Sequence, residues 1–320
     1  MRNTEEMVLD TQAETLRAAP LRIGISTRAL FNLEAEHKVF VEEGVGAYTQ
    51  MQLENEAKAV PKGAGFEVIS RLLRLNEVDK PPFVEVVLMS RNSPDLSLRA
   101  FNSIGGYKLP IKTGSFTSGR SLSPFMPAWE IDLFLSNDVE DVQGAVDAGT
   151  AAARLGSVPD PLVGPDDEVR IAFDGDAVVF SPESDLIYKE KGLAAFLENE
   201  QINAKIPMSG GPLGNFLKKL SILRTVYMRT DFTSKVRISI VTARNAPAHA
   251  RVVHTLRAWG TPADEAHFVG AWPKAPILKA FGAHIFFDDQ EKHVLGASAV
   301  VPSGHVPGPH LSTELIIPAG

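Results

Sequence analysis

Six short apolar runs, spaced along the chain by amphipathic stretches, constrain its fold more than any other feature. They are LRIGIS (21–26), FVEVVLMS (83–90), IDLFLS (131–136), VRIAF (169–173), VRISIVT (236–242) and HIFF (284–287). Each is too short for a helix and rich in Ile, Val, Leu or Phe, as strands buried on both faces are. Between them, segments such as FEVISRLLRL and ARVVHTLRAWG carry apolar residues at helical spacing, and the second stops on Gly260. Strand alternating with helix predicts an α/β protein with a parallel sheet.

The order then recurs. LRIGISTRALF, from Leu21, lies beside VRIAFDGDAVVF, from Val169, so that Arg22 meets Arg170, 148 residues on. At the same separation Gly44 meets Gly192 and Tyr48 meets Phe196. LMSRNSP (88–94) echoes VTARNAP (241–247), and IDLFLSND (131–138) echoes HIFFDDQ (284–290). Matches in one order predict a tandem duplication, with a boundary near residues 155–168 in the Pro/Gly/Asp-rich GSVPDPLVGPDD. The halves differ in chemistry. Asp174 faces Ser26, Asp176 faces Arg28, and Asp288 and Asp289 face Ser136 and Asn137. The N-terminal half therefore reads as a structural or interface-forming duplicate without the carboxylates.

Composition bounds the rest. The chain has 320 residues, a formal net charge of -7 and no cysteine. Its acidity argues against a nucleic-acid polymer as partner. The missing cysteines remove disulfides, thiolate metal sites and a Cys nucleophile, and predict a cytoplasmic protein. No apolar run is long enough for a bilayer, so no membrane is expected. The acidic N-terminus (1–20) reads as a tail or short helix outside the fold, and VPSGHVPGPH (301–310) as irregular. A homo-oligomer stays open.

In an open parallel sheet the strand C-termini gather along one edge, where ligands bind. Asp174 and Asp176 follow VRIAF, Asp288 and Asp289 follow HIFF, and Thr242 ends VRISIVT. If those strands are neighbours, four acids and a hydroxyl converge. Such acids repel one another unless a cation neutralises them, and an oxygen-only ligand set favours Mg²⁺. Mg²⁺ commonly binds substrate phosphate, so phosphoryl transfer follows as an expectation. One Asp after a strand is often only a turn former or helix cap. The set FDGDAVVF, VTARN, WPKAP and FFDDQ in this order is what carries the reading.

Those four pieces resemble the haloacid dehalogenase (HAD) superfamily of phosphohydrolases. AFDGDAVVFSPESD, VTARNAPAHARVVHTLRAWG and HIFFDDQEKH are similar, more closely, to the cytosolic 5′-nucleotidase I family, over about Leu21 to His305. The resemblance implies a Rossmann-like HAD fold, a three-layer α/β/α parallel sheet with a helical cap insertion (about 181–235), a degenerate N-terminal HAD-like half (21–160) and a catalytic half (169–310). It implies Mg²⁺-dependent hydrolysis of nucleoside 5′-monophosphates, AMP among them, through an aspartyl-phosphate. Asp174 would be the nucleophile and Asp176 the general acid and base. Thr242 would bind a phosphoryl oxygen and Lys274 offset negative charge. Asp288 would hold the metal with Asp174 and the backbone carbonyl of Asp176, Asp289 being an alternative or supporting ligand. Rival readings are a phosphatase for another small phosphomonoester and a non-catalytic nucleotide-binding protein.

In the cap, KGLAAFLENEQINAK and LGNFLKKLSIL read as helices separated by IPMSGGPLG. Gly210, Gly211 and Gly214 could let backbone amides approach a phosphate, although a plain helix–helix turn is the preferred reading of that loop. Phe196, Asn203 and Phe216 are candidates for base recognition, against a packing role for each Phe. Arg244 and Asn245 follow Thr242 and are candidate substrate contacts. The eight histidines show no metal-ligand spacing, and the three tryptophans read as packing residues, with Trp272 a candidate for the pocket border.

Overall fold

A computed structural model describes residues 4–156 and 167–308. Its ten strands are β1 (Leu21–Ser26), β2 (Val84–Ser90), β3 (Thr113–Phe116), β4 (Leu133–Ser136), β5 (Ala152–Leu155), β6 (Val169–Phe173), β7 (Val236–Thr242), β8 (Glu265–Phe268), β9 (Ile285–Asp288) and β10 (Ser303–His305). They form one sheet in the order β3-β2-β1-β4-β5-β10-β9-β6-β7-β8. The six runs expected as strands are β1, β2, β4, β6, β7 and β9. The other four strands are short, and β3 and β8 are only half-covered, so little apolar pattern marks them.

Each five-strand half repeats the same order, and every pairing within a half is parallel. The halves meet where β10 pairs antiparallel with β5, Gly304 opposite Leu155 and His305 opposite Arg154. The sheet is therefore parallel except at its centre, and the strand C-termini of the two halves leave by opposite edges. The pairing also adjusts the repeat. Leu21 pairs with Val84 as Val169 pairs with Val236, which brings Ser90, not Met89, into the register position of Thr242. The Arg-Asn echo at 91–92 and 244–245 is thus displaced by one residue from the strand equivalence.

Side chains alternate between the faces. Ile23, Ile25, Ile171, Phe173, Ile238, Ile240, Ile285 and Phe287 enter one core that runs across both halves. On the other face, Val87, Met89 and Phe134 form a second core, and Ala172, Val241 and Phe286 a third. Helices cover both faces, giving three layers. Each fully buried Leu, Ile or Phe contributes roughly 1.5–3 kcal/mol relative to exposure.

Two terminal expectations need correction. The N-terminal segment is not outside the fold: helix Thr4–Ala18 packs on helix Gly214–Val226, Leu16 is buried, and the Arg17 guanidinium lies 4.1 Å over the Phe83 ring. Nor is 301–310 irregular throughout, because Ser303–His305 is the strand that joins the halves. Its glycine is required there, since a Cβ on Gly304 would stand 2.9 Å from Phe287 and 3.1 Å from Ala153. The expected boundary at 155–168 lies largely outside the described residues.

The matched glycines at 44 and 192 have one cause. Helices Glu34–Glu54 and Glu183–Ile202 each break at that glycine, with φ of 85° and 79°. A side chain there would be strained. Of the two helices expected in the cap, Gly214–Val226 lies within the layered body: Leu217, Leu220 and Leu223 are buried in the continuous core.

Candidate active site

The order β9-β6-β7 makes the expected neighbours adjacent. Phe173 pairs with Phe287 on one side and Ile240 on the other, so Asp174 leaves the sheet beside Asp288 and one step before Thr242. Asp174 N donates to Phe287 O at 2.8 Å, tying the two strand tips together. Lys274 caps helix Ala275–Phe281 and reaches back between them. Its Nζ is 2.8 Å from Asp174 Oδ1 and donates to Asp288 Oδ2 at 2.7 Å. The lysine is 5% exposed, so it is not a solvated surface residue.

Charge here is set by burial and by these pairs. Burial pushes the Asp174 carboxyl up to about 8, with Lys274 opposing and Asp288 adding to the rise. Burial also acts against ionised Asp288, yet His293, Lys274 and the Gln290 N–H outweigh it and hold its carboxyl below the usual range. Burial would lower Lys274, but Asp174 and Asp288 together raise it. Asp289 is pushed up to about 6 by burial, then by Asp288 and Asp185.

Asp174, Asp288 and Asp289 each offer an oxygen, all within 4.8 Å of one another. Asp174 Oδ1 and Asp289 Oδ1 are buried without a directed hydrogen bond; the 2.8 Å approach of Lys274 to the former is a charge contact. Buried, unsatisfied carboxylate oxygens are costly. A hard divalent cation satisfies them, so the residues present fit one.

Asp176 turns elsewhere. Arg244 donates from Nε to Asp176 Oδ2 at 2.7 Å and from Nη2 to Asp176 Oδ1 at 2.6 Å. Arg244 also pairs through Nη1 with Glu200, and Arg251 donates to Glu200 at 2.9 Å. Phe196 lies over the Arg244 guanidinium, 5.4 Å from centroid to carbon. Glu200 and Phe196 both belong to helix Glu183–Ile202, which thereby reaches the site. Thr242 is buried, its Oγ1 accepting from Arg244 N at 3.3 Å. Gly175 is close enough that a Cβ would lie 3.2 Å from that oxygen.

The remaining candidates stand apart from the acids. Asn245 is exposed, beside Gly270. Asn203 bonds back to Asn199 at the end of its own helix. Gly211 donates its N–H to Val179 O at 2.8 Å, and a Cβ there would stand 2.3 Å from Phe180 O. Its counterpart Gly63 makes the same close approach, 2.7 Å from Ala29 O, so backbone packing accounts for the glycine in both halves. Gly210, next to it, is exposed and bridges Phe180. Phe216 is a core residue against Phe173, and Trp272 is exposed.

Two residues escaped sequence reasoning. His293 sits with Nδ1 3.2 Å from Asp288 Oδ2, and its only signal was a position five residues beyond that acid. Glu200 is fully buried, yet LENEQ reads as a solvated helix face.

Similarity to known proteins agrees with this geometry. The family model described as 5′-nucleotidase matches residues 13–312. The human protein described as cytosolic 5′-nucleotidase 1B is 35% identical over 286 residues, 87% of this chain and 47% of the relative. The chain thus spans about half the length of the curated relative it matches. On a family match that covers nearly all the described residues, this chain belongs to the 5′-nucleotidase family.

Proposed function

We propose that this chain is a Mg²⁺-dependent phosphomonoesterase that converts nucleoside 5′-monophosphates, AMP among them, to nucleoside and phosphate. The observation that carries the reading is Lys274 held between Asp174 and Asp288 at 2.8 and 2.7 Å, on adjacent strand tips. Family membership and the relative's name supply the nucleotide class and favour a cytoplasmic setting.

In this reading an Asp174 carboxylate oxygen attacks phosphorus as the bond to the ribose oxygen breaks, and Asp176 gives that oxygen a proton. Water then attacks the aspartyl-phosphate, Asp176 takes a proton from it, and phosphate leaves with Asp174 restored. Asp174, Asp288 and the Asp176 carbonyl, with Asp289 as an alternative or supporting ligand, would hold Mg²⁺, which would supply positive charge to offset repulsion between carboxylate and phosphate. Lys274 adds its ammonium to the same end, and Thr242 donates to a phosphoryl oxygen. The two hydrogen bonds from Arg244 orient the Asp176 carboxyl for both steps. Arg244, paired with Asp176, and Phe196, packed on that guanidinium, are the substrate candidates we retain. We read 21–160 as the degenerate half, 169–310 as the catalytic half, and helix Glu183–Ile202 as the covering element.

Replacing Asp174 with Asn tests the proposal. The fold should persist while turnover of AMP falls at least about 10³-fold. Phosphate release that survives the change would remove the nucleophile. A panel of AMP, IMP, deoxynucleotides and sugar phosphates tests the substrate class, and preference for a sugar phosphate would overturn it.

A further inference from the structure

A cavity lies in the other half, at the edge opposite the acids. It measures about 940 Å³ and is bordered by the tips of β1, β2 and β4. Register makes it the counterpart of the proposed catalytic crevice: Ser26 stands for Asp174, Ser90 for Thr242 and Ser136 for Asp288. Replacing two acids by hydroxyls removes the ligands that call for a cation.

The hydroxyls are placed to donate. Ser26 Oγ accepts from Ala29 N, Ser90 Oγ from Asn92 N and Ser136 Oγ from Asp138 N, each at 3.2 Å. Among the described residues none of the three donates its own proton, and each is more than nine-tenths buried. Thr27 Oγ1, also lining the cavity, is buried with no partner at all. Four hydroxyl protons without acceptors, at the tips of adjacent strands and the residue after one, suit a ligand rich in acceptors and poor in donors. A phosphate group is such a ligand. Arg28, in the place of Asp176, stands at the rim in a bidentate pair with Glu34. Asp138, Glu140 and Asp141 surround Arg91 on one side and more than offset its charge, so recognition falls to the hydroxyls, with Arg28 contributing only as it exchanges Glu34 for the ligand. The volume exceeds a phosphate ion, and Phe40 and Tyr48, in edge contact at 5.7 Å, offer an aromatic wall.

We propose that this crevice is a second, non-catalytic site that binds a phosphate ester without a metal ion, its phosphate on Ser26, Thr27, Ser90 and Ser136 and its organic part against Phe40 and Tyr48. The proposal does not depend on the reaction assigned to the acidic half.

Calorimetry on the full chain carrying Asp174→Asn, in chelator, tests it with AMP, inorganic phosphate and adenosine as probes. AMP should bind without metal, and the double change Ser90→Ala with Ser136→Ala should weaken it at least about tenfold. Inorganic phosphate should compete: equal potency identifies the free ion as the occupant, weaker potency the ester. If the serine variant fails to fold, Phe40→Ala, at a position 46% exposed, should weaken AMP but not inorganic phosphate. No metal-free AMP binding, binding indifferent to these changes, or adenosine binding as tightly as AMP would each overturn the assignment.

Discussion

Arg244 holds Asp176 in a two-point grip, 2.7 Å from Nε to Oδ2 and 2.6 Å from Nη2 to Oδ1. Its remaining nitrogen reaches Glu200 on helix Glu183–Ile202, so one guanidinium joins the covering helix to the carboxylate proposed to move protons. A planar fork can make these contacts at once; an ammonium cannot.

Arg244→Lys should therefore behave as a disruptive change. Turnover of AMP is expected to fall roughly 10–100-fold through misplacement of Asp176. A steady-state comparison of kcat checks this. An unchanged kcat would show that the grip does not matter to the reaction.

Glu200 lies between two arginines, and its counterpart at the repeat separation is Gln52. In the N-terminal half the acid is on Glu36 instead, 3.0 Å from Arg99, which also donates to Gln52 at 2.8 Å. In the C-terminal half Ser184 takes the place of Glu36 and donates to Glu200 at 2.7 Å. Glu200→Gln should lower stability by about 3–5 kcal/mol, because two buried cations lose their common anion. Adding Ser184→Glu rebuilds the other half's arrangement and should recover part of the loss. Urea midpoints of the single and double variants measure both effects.

Mg²⁺ should raise the thermal midpoint, since a cation that binds only the folded chain stabilises it by mass action. At about a hundred times the dissociation constant the gain is about 2.7 kcal/mol. Asp289→Asn and Asp288→Asn should shrink that gain. A midpoint insensitive to Mg²⁺ and chelator in differential scanning would count against the cluster as a metal site.

His284 is buried, and its Nδ1 accepts the Arg170 N–H at 2.9 Å. Burial, with Arg71, Arg170 and Arg74 nearby, pushes its imidazole down to about 3. The unfolded chain then binds a proton that the folded chain refuses. The stability from neutral His284 is whole above about 6.5 and declines as pH falls toward 3. Urea midpoints between pH 7 and pH 4 should drop for the natural chain and drop less for His284→Asn.

Much of the site was legible because its parts are local. A DGD tip after VRIAF, a Thr closing VRISIVT and an acidic pair after HIFF need only strand periodicity and the rule that ligands gather at strand ends. Lys274 carried no local signal and depended on family resemblance; its burial between two carboxylates comes from the return of a helix to the sheet edge. Glu200 was invisible for a related reason. Its neighbours are polar, and only the docking of its helix on Arg244 and Arg251 takes it out of water.

By itself the sequence determined the alternation of strand and helix, the repeat, and which half carries carboxylates, since these are matters of spacing and residue type. Only the tertiary structure decided that Gly304 and His305 zip onto Arg154 and Leu155, making one sheet whose two sets of strand tips face opposite ways. Three residues beside a Pro/Gly-rich stretch have too little pattern to announce a strand. Their partner is set by long-range closure of the backbone ladder, which no local window contains.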